Sequence, residues 1–150
     1  MQKIIISLVM ALLASGTVSA SETTDVLAVV HKWRDSFNSG DAKTMISVCT
    51  DDAIILDDFS PHIWQGSGAC AGWYKDYGAF IQKNAIAEPK VTLGKSKHLD
   101  VDAGYAYLVV PTTYAFSKDG KPTQEAGLVT MTLHKTATGW RITGWAWADQ

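Results

Sequence analysis

The apolar residues Val26, Val29, Val30, Trp33 and Phe37 recur at the spacing of one helix face. Thr24-Asp25 precedes them as a start signal, and Asn38-Ser39-Gly40 stops the run. Asp41 is placed to cap a second, shorter helix running through Cys49, with Met45, Val48 and Cys49 turned inward. Residues 53–58 read as a buried strand, closed by the loop Phe59-Ser60-Pro61-His62. Ser67 is the expected cap of a third helix, in which Cys70, Trp73, Tyr77 and Phe80 share one face. Gly72 and Gly78 each weaken that helix by about 1 kcal/mol relative to Ala, so it depends on tertiary support.

Beyond Pro89 the pattern changes to alternating β-branched and aromatic residues, which predicts strands over 90–101, 105–116, 124–135 and 140–148. The separators Asp102-Ala103-Gly104, Lys118-Asp119-Gly120-Lys121 and Thr136-Ala137-Thr138-Gly139 are turn chemistry. Helices first and strands after make an α+β fold, an antiparallel curved sheet with about three N-terminal helices packed across one face.

The N-terminus follows neither pattern. Met1-Gln2-Lys3 is a short positive start, residues 4–14 are an apolar run, and Ser15-Gly16-Thr17-Val18-Ser19-Ala20 ends in a small-x-small pattern. The run is too short for a permanent membrane anchor and has the form of a signal peptide. Cleavage is expected after Ala20, leaving a single domain over 21–150 that is exported, periplasmic or secreted. No Cys follows the cleavage point, so no lipid anchor is expected. The other reading of the run is a hydrophobic first helix of the fold. An oxidising destination makes Cys49 and Cys70 candidates for a disulfide closing a loop of about 20 residues, worth roughly 3 kcal/mol. Two buried free thiols are the alternative.

Thirteen Lys+Arg against fifteen Asp+Glu give the 150-residue chain a formal charge of −2. That balance argues against a nucleic-acid groove or a polybasic membrane patch. With 10% aromatic residues there is ample material for a core. His31, His62, His98 and His134 are scattered, with no spacing that suits a metal, and no cofactor is expected.

Three stretches carry a family resemblance: Phe37-Asn38-Ser39-Gly40-Asp41, then Thr50-Asp51-Asp52-Ala53-Ile54-Ile55-Leu56-Asp57 with Gly66, and Trp140-Arg141-Ile142 near the end. In their order and spacing the chain resembles the nuclear transport factor 2-like superfamily, in particular its SnoaL-like and ketosteroid isomerase-like members. The resemblance implies a cone, a strongly bent sheet wrapped around helices with an apolar pocket at one end. It also implies that Asp57 stands where the isomerases keep their proton-shuttling carboxylate.

With alternation applied to the cone, Ile55 and Asp57 share a face. Tyr107, Val109 and Thr113 are expected to face the pocket, as are Met131 and Leu133, and then Gly144, Ala146 and Ala148. Trp33, Phe37, Trp64, Trp73 and Tyr77 would close the helical side. Trp145 and Trp147 then fall on the convex face, a patch through which superfamily members commonly pair, so a homodimer is expected.

An Asp in an apolar pocket has a raised pKa and is a better base near neutrality. In the ketosteroid isomerases an oxyanion hole of a Tyr and a protonated Asp assists it. Here Arg34 and Val129 occupy the matching positions, so Tyr107 or Tyr77 is the expected donor. His62, in the loop after the strand, is the candidate for an Asp–His pair like that of the superfamily's dehydratases; the other reading is a solvated loop His. The alternative for Asp57 is a solvated strand-end carboxylate. The expected function is an exported small-molecule-binding protein. Whether it is an enzyme is left open; the candidate chemistry is cofactor-free proton transfer of isomerase, dehydratase or cyclase type on an apolar carbonyl or hydroxyl compound, with Asp57 as general base or acid. A non-catalytic dimeric binding module with the same fold is the alternative.

Overall fold

A computed structural model describes residues 15–150. Most of the expected leader, residues 1–14, lies outside the described residues. Helix α1 (Ser15–Ser39) is followed by α2 (Ala42–Ser47), β1 (Cys49–Leu56), β2 (Ile63–Trp64) and α3 (Ala69–Lys83). Five strands complete the chain: β3 (Ile86–Leu93), β4 (His98–Asp102), β5 (Tyr105–Lys118), β6 (Lys121–Thr136) and β7 (Gly139–Asp149). Among the described residues no helix is long and apolar enough to cross a membrane.

The strands form one curved, unclosed sheet in the order β2-β1-β7-β6-β5-β3, with β4 also on β5. The fold is α+β as expected, and the sheet is mixed, because β1 runs parallel to β7 while the other pairs are antiparallel. The single strand expected over 90–101 is two. β4 pairs with the first part of the long β5, β3 with the last, and Gly94 donates to the Pro111 carbonyl where one gives way to the other.

The motifs that carried the resemblance each hold a joint. Gly40 takes φ +71° and ends α1, a left-handed conformation that glycine adopts without a Cβ clash. Asp41 caps α2 by accepting the Thr44 N–H at 3.0 Å. Asn38 clamps β3, donating to Val91 O and accepting from Val91 N. The expected Ser67 cap is not made: the N-cap of α3 is Gly68 at φ +76°, whose N–H is taken by Asp51. Cys49 and Cys70 form a disulfide that ties the start of β1 to the first turn of α3.

The inner face of the sheet divides into two halves. Leu108, Met131, Leu133 and Ile142 pack solidly against Val26 and Val30 of α1. Toward the other end of the sheet the inward side chains are aromatic and leave a hollow. The division depends on one irregularity in β7. Leu133 pairs with Ile142 and Thr132 with Gly144, so β7 carries one surplus residue, Thr143. A single extra residue reverses which side chains face in. Trp140 and Ile142 point inward before it, and Trp145 and Trp147 point inward after it. Gly144 lies against β1 so closely that a Cβ there would stand 2.5 Å from the Ile54 carbonyl oxygen.

Candidate functional site

The hollow is a cavity of about 160 Å³. A void of about 150 Å³ accommodates one benzene ring, which sets the scale of a compatible ligand. Trp33 and Phe37 of α1 enter it one helical turn apart, as do Trp73, Tyr77 and Phe80 of α3. The sheet supplies Thr112, Tyr114 and Phe116 from β5, Val129 from β6, and Trp145 and Trp147 from β7. Trp145 stands edge-on to both Trp33 and Trp73, at centroid distances of 5.7 and 5.2 Å. Trp73 lies flat on Tyr77, 9° from parallel. Asp58, Asn84, Lys118 and Glu125 supply the polar part of the wall.

Asp57 follows the last residue of β1, in phase with the buried Ala53 and Ile55, and so turns its carboxylate into the cavity. Its Oδ2 accepts the indole N–H of Trp73 at 2.8 Å, and its Oδ1 accepts the backbone N–H of Asp58 at 2.9 Å. Burial raises its pKa to about 6, against those two hydrogen bonds, which favour the anion. The negative charge of Asp58 pushes the same way as burial.

In the same cavity the phenols of Tyr77 and Tyr114 lie 2.9 Å apart. Burial raises the pKa of both, so both stay neutral, and the Asp57 charge adds to the effect on each. In such a pair one hydroxyl donates to the other, which leaves the second O–H free to donate elsewhere. Burial also raises Glu125, helped by the charges of Asp58 and Asp149. Trp33 Nε1 is buried with no hydrogen-bond partner. Among the described residues no three His, Cys, Asp or Glu side chains are grouped so as to hold a metal ion.

The sequence profile of the SnoaL-like domain matches residues 26–146, which is most of the chain. The chain belongs to the SnoaL-like family. Its fold is that of the nuclear transport factor 2-like superfamily, of which this family is a branch. A Mycobacterium tuberculosis protein of unknown function is similar at 14% identity and TM-score 0.76, covering 93% of this chain and 78% of that one. A nuclear transport factor 2-like superfamily protein from Salmonella enterica is similar at 10% identity and TM-score 0.74, covering 87% and 92%. A ketosteroid isomerase-like protein from Erwinia carotovora atroseptica is similar at 19% identity and TM-score 0.68, covering 85% and 95%. At these identities the likeness is one of fold. No curated protein sequence matches the chain.

In this SnoaL-like protein the cavity brings together Asp57, Trp33, Phe37, Trp73 and Tyr77. Other residues expected there lie elsewhere. Tyr107 is 43% exposed on the outer face of the sheet, and Thr113 shares its parity, because β5 turns its even-numbered residues inward. Gly144 and Ala146 are likewise on the outer face, displaced by the surplus residue in β7. The same displacement corrects the expected convex patch: Trp145 and Trp147 line the cavity.

Trp64 is buried beside Phe59 and donates its indole N–H to Asp76, away from the cavity. Met131 is fully buried in the solid half of the core. His62 is exposed, and its Nδ1 meets the backbone carbonyl of Asp57 at 3.2 Å instead of the carboxylate, so no Asp–His side-chain pair forms. Arg34 binds its neighbour Asp35 outside the cavity, and Val129 is part of the wall. The missed lining residues Thr112, Tyr114 and Phe116 had a signal: with Ala106, Leu108 and Val110 they make the even set of β5 the more apolar one below Tyr114.

Proposed function

We propose that this SnoaL-like protein is exported, binds a small, mainly apolar, ring-sized compound in its cavity, and uses Asp57 to accept and return a proton of that compound. The observation that carries this reading is a carboxylate set in a cavity of aromatic rings, with one oxygen held by the Trp73 N–H and a pKa near 6. Such a group is mostly ionised at pH 7 yet basic enough to take a proton from a hydroxyl or an activated C–H beside a carbonyl. The free O–H of the Tyr77–Tyr114 pair is a donor for an oxygen of the ligand. Isomerase, dehydratase and cyclase chemistries each begin with such a proton abstraction, and the proton then returns to another carbon, to a departing hydroxyl that leaves as water, or to the oxygen of a carbonyl that the carbanion has attacked.

The test is a thermal-shift screen of single-ring hydroxyl and carbonyl compounds against the wild type and Asp57→Asn, followed by a turnover assay on each binder. A compound that binds both proteins and turns over only with the wild type is the expected result. Binding without turnover would support the second reading, a non-catalytic binding module. One observation favours that alternative: His62 stays outside the cavity, so no imidazole stands beside the Asp57 carboxylate.

The reading includes a homodimer through the outer sheet face. Ile54, Leu56 and Ile63 are each nearly half exposed there. Leu56 is in register with Ile63 on one side and Ala146 on the other, and Ala146 continues to Thr130 and Val109, an uncharged row suited to a second copy of itself. Export is supported by the Cys49–Cys70 disulfide, which persists in oxidising compartments. An intact mass beginning at Ser21 is the expected result for protein recovered from the cell envelope or medium.

A further inference from the structure

We propose that the cavity is built for a cation, an organic ammonium compound whose charged head sits among the rings beside Asp57. The proposal rests on the cavity being a small-molecule site and narrows the class of molecule. Three observations converge on it.

The first is the kind of apolar surface. Aliphatic side chains of the inner sheet face fill the solid half of the core, whereas the hollow is walled by rings, among them Trp33, Phe37, Trp73, Tyr77, Trp145 and Trp147. A neutral ring stacks on such a wall for about 0.5–1.5 kcal/mol, but neither it nor an aliphatic compound draws on the negative potential of the ring faces. A cation does, because ring faces carry the negative end of the aromatic quadrupole and indoles are the strongest partners.

The second is the missing counter-ion. Asp57 has two hydrogen-bond donors, but neither it nor Asp58 is paired with a basic side chain; among the described residues the ion pairs are Arg34–Asp35 and Lys135–Glu22. A buried carboxylate without a cation is costly, and a ligand ammonium would relieve that cost.

The third is the balance of the wall. Asp57, Asp58 and Glu125 line it against Lys118 alone, so acidic groups outnumber basic ones there. A carboxylate or phosphate ligand would meet net repulsion. A cation meets attraction.

The experiment compares phenyltrimethylammonium with tert-butylbenzene, the same shape with carbon in place of charged nitrogen, by calorimetry at low salt on the oxidised protein. The expected result is at least tenfold tighter binding of the cation, falling severalfold in Asp57→Asn checked for native circular dichroism. Equal or tighter binding of tert-butylbenzene overturns the cation proposal and leaves the cavity as a small-molecule site. Binding of neither removes both. A cation preference that persists undiminished in folded Asp57→Asn also overturns it, because the acid would then play no part. Glu125→Gln is the second variant, expected to reduce the preference less than Asp57→Asn does.

Discussion

The indole N–H of Trp73 and the carboxylate of Asp57 meet at 2.8 Å, joining α3 to the end of β1 inside a largely aromatic hollow. The bond fixes one carboxylate oxygen and favours the anion, while burial opposes it. Trp73→Phe keeps a ring and deletes the donor. The pKa of Asp57 is then expected to rise further above 6, read as an alkaline shift of the carboxyl signal in an NMR titration. Hydrogen bonds to charged groups are worth about 1.5–3 kcal/mol, so the shift should be well resolved. An unmoved titration would mean that the bond does not form in solution.

Asp57 also predicts an unusual stability profile. Its folded pKa, about 6, exceeds the ordinary value of 3.8, so between these values the folded state holds more of the proton than the unfolded state does. Stability therefore falls as pH rises from 4 to 6, the reverse of a salt-bridged carboxylate. The full difference is on the order of 3 kcal/mol. Asp57→Asn is expected to be more stable than the wild type at pH 8, with the gap closing toward pH 4 in urea titrations. Equal denaturation midpoints at pH 8 would count against a buried acid.

The Cys49–Cys70 bridge holds the first turn of α3 to β1, and α3 carries Trp73 and Tyr77 into the cavity. Replacing both cysteines by Ala is expected to cost about 3 kcal/mol for a loop of this length. Ligand affinity should fall with it, because the helix that orients the site loses its tether. Chemical denaturation and a binding isotherm on the same double variant would measure the two effects together.

Gly144→Ala would place a methyl group 2.5 Å from the Ile54 carbonyl oxygen, at the parallel junction of β1 and β7. Overpacking of this kind costs about 1–3 kcal/mol, and here it presses against backbone that cannot turn aside. Gly40→Ala, with open space around it, should cost only the strain of its positive φ. Thermal melts of the two variants should separate, with Gly144→Ala the lower.

Leu56→Asp puts a charge in the outer uncharged row, between Ile63 and Ala146, without touching the cavity. Light scattering is expected to give a monomer for this variant and a dimer for the wild type. A wild-type monomer would show that the exposed row serves no copy of the chain.

The helices were largely legible in the sequence, because Trp33 and Phe37, or Trp73 and Tyr77, follow a period that neighbouring strands cannot disturb. Asp57 was legible for the same local reason, since it lies two residues beyond Ile55, just past the end of a short strand. The longer strands were not. In β5 both parities are partly apolar, and choosing Tyr107 over Leu108 placed the wrong set inside. In β7 no local rule marks Thr143 as surplus, because a bulge is settled by pairing with β6 and β1. The disulfide was undetermined for a related reason: the separation of two Cα atoms is a property of the assembled sheet and helix.

That surplus threonine has a further consequence. Drop it, and Gly144 and Ala146 would face inward while two indoles turned to solvent, leaving a wide, bland chamber in place of an aromatic box. One codon thus separates two quite different recognition chemistries on the same scaffold, and small insertions or deletions at this point in the last strand are an economical route by which such a protein could change what it holds.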